Sequence, residues 1–186
     1  SNNEPGRACE RMQWRARTGK PEAAVAPMLD TPAEHWGEPS KWAGWRRSFA
    51  RTAMRAGKPD RAYALASQHG MTSGSPFADL EWLSGYLALT YRGDPEAAHE
   101  HFKKFRGAVE TPISLGRAGY WEGRAYEAMT DAENARLAYT FGAEYQTSVY
   151  GLLAAERGNV AMKPFLTGRD TFPDWRNASF VDSSVF

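Results

Sequence analysis

The sequence predicts an all-α protein, a right-handed α-solenoid or superhelix of tetratricopeptide-like helical hairpins. Prolines stand where helices should begin and glycines where they should end, the asymmetry that helix capping produces. Between these marks apolar residues recur at helical spacing, and no stretch reads as a strand. Alternate helix starts recur at a nearly constant interval, the mark of two-helix units that bury a continuous core only through their neighbours.

Taken in order, the punctuation predicts helices over 8–17, 21–29, 40–56, 59–69, 76–92, 95–106, 112–129, 132–145 and 148–157. Starts at 40, 76, 112 and 148 differ by 36 residues each, and those at 21, 59, 95 and 132 by 38, 36 and 37. The tetratricopeptide length is about 34. Ser75-Pro76, Asp94-Pro95 and Thr111-Pro112 each place an N-cap oxygen before a proline whose missing N–H does no harm at a helix start. Gly57, Gly70, Gly93, Gly107 and Gly158 are placed to close helices in the left-handed conformation.

Within the helix from Ser40, Trp42, Trp45, Phe49, Ala53 and Ala56 share one face, and Arg47, Arg51 and Arg55 lie opposite. The helix from Pro76 differs, because Phe77, Leu80, Trp82, Leu83, Tyr86, Leu87, Leu89 and Tyr91 surround most of its circumference, which predicts packing on several sides. Gly85 and Gly123 each cost a helix about 1 kcal/mol relative to alanine, and predict close helix–helix approach. Residues 1–158 therefore read as one helical-repeat domain. Residues 159–186, with Met162, Pro164, Phe165, Pro173 and Trp175, read as an irregular segment leading toward a region beyond Phe186. Ser1-Asn2-Asn3 at the start and Val185-Phe186 at the end suggest a processed or excised piece of a longer protein.

With 42% hydrophobic and 24% charged residues the composition is that of a globular protein. Net charge is +1, from 23 basic and 22 acidic residues, so the summed field gives no reason to expect nucleic acid or an anionic membrane as partner. Nothing resembles a transmembrane run. Cys9 is the single cysteine, which excludes an intramolecular disulfide and a thiolate metal cluster and reads as an inert thiol.

Motifs for chemistry are absent. His35, His69, His99 and His101 form no zinc-protease pattern, and His99 and His101, two apart on a helix, diverge. There is no Gly-x-Ser-x-Gly elbow, no Walker lysine loop, and no histidine beside Cys9. The sequence thus implies no metal and no cofactor. Glu122 and Glu127 lie among aromatic residues, where burial could raise a carboxyl pKa; a paired or solvated carboxylate is the plainer reading. The charges of the stripe Arg47, Arg51, Arg55 repel one another unless answered, by carboxylates of a neighbouring helix, by water, or by an acidic partner such as a peptide carboxylate. The 7 Trp, 8 Tyr and 9 Phe supply core, and any ring left exposed would stack on a sugar face.

Three runs then become specific. The first is Asp79-Leu80-Glu81-Trp82-Leu83-Ser84-Gly85-Tyr86-Leu87-Ala88-Leu89, followed by Tyr91, Gly93-Asp94-Pro95 and His101-Phe102. The second joins Thr111-Pro112-Ile113-Ser114 to Tyr120-Trp121-Glu122-Gly123-Arg124-Ala125, and the third is Tyr145-Gln146-Thr147-Ser148-Val149-Tyr150-Gly151-Leu152-Leu153-Ala154-Ala155. In this order, over residues 40–158, they resemble the helical-repeat region of soluble lytic murein transglycosylases. The resemblance implies a ring or horseshoe of hairpins in the bacterial periplasm, holding a lysozyme-like domain that follows it in the chain. That domain uses one glutamate as acid then base, and cuts between N-acetylmuramic acid and N-acetylglucosamine to leave a 1,6-anhydro end. It departs from the usual two-carboxylate scheme.

The family's catalytic glutamate stands in a Glu-Ser pair, and this sequence contains none, so no catalytic residue carries over. The expectation is a non-catalytic piece whose partners are peptidoglycan glycan strands and its own downstream catalytic domain. Arg47, Arg51, Arg55, Tyr145 and Tyr150 are its candidate contacts to glycan or to an acidic partner. A tetratricopeptide-like adaptor for a peptide or protein is the rival; a small free-standing enzyme has no motif behind it.

Overall fold

The computed structural model describes residues 5–18, 21–31, 37–168, 173–179 and 181. Ser1–Asn3, His35, Val185-Phe186 and the side chain of Cys9 lie outside the described residues. The fold is all-helical, with no strand among the described residues. Its α-helices are α1 Pro5–Arg17, α2 Pro21–Asp30, α3 Ser40–Arg55, α4 Pro59–Ser67, α5 Ser75–Leu87, α6 Pro95–Gly107, α7 Pro112–Ala128, α8 Ala132–Gly142 and α9 Val149–Arg157. A π-turn, Ala88–Arg92, extends α5, and a 3-10 turn, Ala143–Tyr145, extends α8. After α9 the described residues hold only 3-10 turns, Pro164–Thr167 and Trp175–Asn177.

Caps set these boundaries. Asp94, Thr111, Asp131 and Ser148 each accept a backbone N–H from the first turn of α6, α7, α8 and α9. Ser75 departs from its predicted role: it is the first helical residue, and the N-cap is Gly74 at φ 91° with no side-chain cap. Gly57, Gly70 and Gly93 take the left-handed conformation, whereas Gly107 stays inside α6 and Gly158 has φ −79°. Gly158 is held by space instead, since a Cβ there would sit 2.9 Å from Cβ of Tyr139.

The main contacts run in series: α1 on α2, α2 on α3 and α4, α3 on α4 and α5, and so on to α7 on α8 and α9. One buried cluster gathers Met12, Met28, Trp42, Phe49, Leu65, Leu80, Leu83 and Leu87. A second gathers Phe102, Tyr120, Trp121, Tyr139 and Ala154, and Trp82 and Tyr86 pack against both. So α5 is covered on several sides, although Tyr91 is exposed.

α3 corrects two details of its predicted face. Ala56 follows the helix end and is exposed, while Arg46 is fully buried. The Arg46 guanidinium donates to the Met28 carbonyl at 2.7 Å and the Leu65 carbonyl at 3.0 Å, in the last turns of α2 and α4, where carbonyls lack intrahelical partners. Burial lowers its pKa to about 10, which leaves it charged at neutral pH.

Small residues let α7 approach its neighbours closely. A Cβ on Gly119 would lie 2.5 Å from the backbone nitrogen of Gly142, one on Gly116 would lie 2.7 Å from Oγ of Ser148, and one on Gly123 would enter the Tyr139 ring. Gly85 meets the Phe102 ring at 2.5 Å in the same way. Gly119→Ala should therefore lower the unfolding free energy by about 3 kcal/mol, because backbone cannot yield as a side chain can. Gly44, mid-α3 with nothing within 4 Å of a Cβ, should gain about 0.5–1 kcal/mol as alanine. Urea unfolding of the two variants beside the parent checks both signs.

Candidate functional site: an aromatic and arginine face

Consecutive residues of α5 go to different environments. Glu81 enters a buried polar clamp, and Trp82 enters a continuous set of rings shared with α7 and α9.

In the clamp, Oε1 of Glu81 lies 3.0 Å from Nε2 of His69, and Oε2 lies 2.5 Å from Nδ1 of His101. The Met71 N–H donates to Nδ1 of His69 at 3.0 Å, so that ring carries its proton on Nε2 and donates it to Glu81. Nε2 of His101 faces the Tyr63 hydroxyl at 2.9 Å, and Lys104 Nζ stands 3.9 Å from the carboxylate. Burial works to raise the Glu81 pKa, but the hydrogen bonds from His101 and His69, with the charges of His101 and Lys104, override it and bring it from 4.5 to about 2. The carboxylate is ionised and saturated, so it is a structural group rather than an acid. His99 goes elsewhere, to the Tyr126 hydroxyl at 3.2 Å.

The second buried glutamate behaves in the opposite sense. Glu122 accepts from Arg106 at 2.9 Å through Oε2, while Oε1 is enclosed without a partner. Burial raises its pKa against the opposing charge and hydrogen bond of Arg106. Glu127 is instead at the surface, 2.7 Å from Arg157 and 3.7 Å from Arg124.

The ring face runs across three helices. Trp82 and Tyr86 stack at 5.5 Å and 12°, one helical turn apart on α5. Trp121 of α7 meets them edge-on at 6.1 and 5.3 Å, and Tyr150 of α9 lies 5.5 Å from Tyr120 and 6.4 Å from Trp121. Arg117 places its guanidinium carbon 5.0 Å from the Trp82 ring centre and 5.3 Å from that of Tyr150. Two helical turns on, Arg124 donates to the Tyr120 hydroxyl at 3.1 Å. Trp82, Tyr86, Arg117, Arg124 and Tyr150 are half-buried, which leaves part of each open to a ligand.

The sequence-predicted residues are dispersed. Arg47 pairs with Asp79 of α5 at the edge of a cleft of about 300 Å³ between the starts of α3 and α5; a neighbouring helix thus supplies its carboxylate. Arg51 is exposed, and Arg55 donates to the Thr52 hydroxyl at 3.4 Å. Tyr145 packs its ring on Phe141 at 5.6 Å, away from the stripe. Of the five, Tyr150 alone belongs to the ring face. Sequence reasoning passed over Arg117, Trp82, Tyr86 and Trp121 as site residues. The signal was there in α7, where 117, 120, 121 and 124 fall on one helical face.

A separate apolar groove of about 480 Å³ lies along α9, between Val149, Leu152, Leu153 and Glu156 on one side and Val160 and Met162 on the other. Among the described residues no group of three or more His, Cys, Asp or Glu is placed to hold a metal ion, and no helix is long and apolar enough to cross a membrane. No protein-family model, curated protein or solved structure matches the chain.

The two buried glutamates predict opposite pH dependences and unequal substitution costs. A folded-state pKa held at about 2 stabilises above the ordinary carboxylate range and is lost as pH falls from about 4.5 toward 2. Glu81→Gln should cost roughly 2–3 kcal/mol at pH 7, since an amide sets N–H against a histidine donor, and should flatten that acid loss. Glu122, whose pKa is raised, instead favours the fold at low pH and loses that contribution as pH rises through the carboxylate range. Glu122→Gln keeps an acceptor for Arg106 and should stay within about 1 kcal/mol of the parent at pH 7. Urea unfolding at pH 7 and pH 4 separates the two, and parallel pH curves for parent and E81Q would refute the clamp.

Proposed function

We propose that this chain is the superhelical, non-catalytic part of a bacterial periplasmic lytic murein transglycosylase. Its task is to position peptidoglycan glycan strands for a catalytic domain outside this chain, which cleaves between N-acetylmuramic acid and N-acetylglucosamine to 1,6-anhydro products. The right-handed stack of tetratricopeptide-like hairpins belongs to the same proposal. It is supported by the nearly constant interval between alternate helix starts and by contacts that run in series along the chain.

One observation carries the functional half. The runs that bear the resemblance, 79–89, 120–125 and 145–155, supply Trp82, Tyr86, Trp121 and Tyr150, which meet in a single ring face. A core needs no half-open tryptophan and tyrosines in one strip. A pyranose does, because its C–H faces pack on aromatic rings while its hydroxyls need donors and acceptors at their edge.

A tetratricopeptide-like adaptor for a peptide or protein is the second reading, favoured by the groove on α9, where Val149 is 72% and Met162 55% exposed. An amphipathic helix laid along Leu152 and Leu153 would suit such a groove.

Co-sedimentation with intact sacculi at low salt distinguishes them. The purified chain should pellet with sacculi, Tyr150→Ala and Tyr86→Ala should each pellet several-fold less, and Leu152→Asp should pellet as the parent does. A parent that stays wholly in the supernatant would remove direct glycan binding. The chain should also release no muropeptides, and an anhydro product would contradict its non-catalytic role.

A further inference from the structure

Six arginines lie between Ser75 and Gly158: Arg92, Arg106, Arg117, Arg124, Arg136 and Arg157. Arg92 pairs with Asp60, Arg106 with Glu122, and Arg124 and Arg157 with Glu127. Arg136 is exposed on α8. Arg117 is half-buried against rings, as Arg106 and Arg124 are, but unlike them it has no ion pair with a carboxylate among the described residues. Its Nε is enclosed without an acceptor.

Two further donors in the same ring cluster share that condition. Nε1 of Trp82 and Nε1 of Trp121 are both buried and unpaired, and Trp121 is 9% exposed. All three groups can only donate. A buried donor without an acceptor costs about 1–3 kcal/mol, so three around one strip of rings are uncommon unless an acceptor arrives.

We infer that Arg117 anchors a carboxylate-binding site on the ring face, with Trp82 and Tyr150 flanking the guanidinium and the two indole N–H groups as further donors. A guanidinium presents paired donors that match the two oxygens of a carboxylate. The rings favour a monoanion, since a doubly charged phosphate loses far more hydration on entering apolar surroundings. The inference rests on the proposed function only in the choice of sugar. N-acetylmuramic acid that carries no stem peptide, as the free sugar or in a glycan strand stripped of peptide, joins a lactyl carboxylate to a pyranose, and so offers the anion to Arg117 and the ring to Tyr86 and Tyr150; with the stem peptide attached that carboxyl is a neutral amide.

Tryptophan fluorescence of the whole chain, titrated with free N-acetylmuramic acid, its methyl ester, N-acetylglucosamine and inorganic phosphate, tests this. The acid should perturb the emission and bind at least roughly tenfold more tightly than the ester, the neutral sugar or phosphate. Arg117→Gln should abolish that preference with its far-UV circular dichroism unchanged, and Arg136→Gln should keep it. Should R117Q fail to fold, Arg117→Lys should show a weakened preference, since its charge persists without the paired donors. Equal affinity for acid and ester, a preference for phosphate, retention of the acid preference in R117Q, or no response of the parent would each overturn the site. Sedimentation with intact sacculi, whose lactyl carboxyls are amide-linked to stem peptide, tests the larger reading alone: sacculi bound by neither parent nor R117Q sink that reading and leave the titration to decide the anion site.

Discussion

A carboxylate sealed from water is stable as an anion only if every oxygen is answered, and the middle of this molecule is organised around meeting that condition at Glu81. His69 comes from the segment after α4, His101 from α6, and Tyr63 of α4 supports His101 from behind. One side chain thus ties three successive elements through hydrogen bonds that apolar packing cannot supply. Packing is tolerant of small slides, whereas a histidine that loses its carboxylate is left with an unmatched donor in a dry place. The clamp therefore fixes the rotation of α5 about its own axis. With Glu81 turned into the clamp, Trp82 and Tyr86 must turn toward α7, and the ring face follows from that orientation.

The same logic recurs at Arg46, where a buried charge meets the carbonyl ends of α2 and α4. Polar groups set the angles at which helices lean on each other, and glycines set how close they come. α7 is the extreme case, because Gly116, Gly119 and Gly123 bring it against Ser148, Gly142 and Tyr139 in succession. Its other side is left to Arg117, Tyr120, Trp121 and Arg124. A helix that gives one face to close backbone contact must place its large side chains elsewhere, and here they form the candidate site.

Most helix boundaries were legible in the sequence because caps and prolines act locally. Asp94, Thr111 and Ser148 bond to backbone within three residues, so their effect needs no knowledge of the fold. The boundary at Ser75 was misplaced for the same local reason, since Gly74 at a positive φ can take the N-cap position that a serine before proline usually claims. The π-turn at Ala88–Arg92 was not legible. It sets Arg92 over the Tyr63 ring at 4.3 Å and beside Asp60 at 3.1 Å, and both partners lie about thirty residues back in the chain. Arg46 was hidden by its type, because a charged residue on an apolar face reads as a break in the pattern until its two carbonyl acceptors are known.

The candidate site was harder to read than the fold for a reason that follows from the all-helical composition. In this all-helical chain most helices carry aromatic residues at helical spacing, so periodicity alone cannot tell a ring that fills the interior from one that borders it. Charge carries the missing information. The arginines on α3 stood out because they repeat every four residues, yet Arg47 is answered by Asp79 of α5. Arg117 did not stand out, because one arginine among rings looks like surface decoration. What distinguishes it is that, among the described residues, none of the carboxylates on α5, α7 and α9 pairs with it, a property of three helices together. In this chain the arginine that the described fold leaves without a carboxylate marks the candidate site, and the most conspicuous run of charge, on α3, does not.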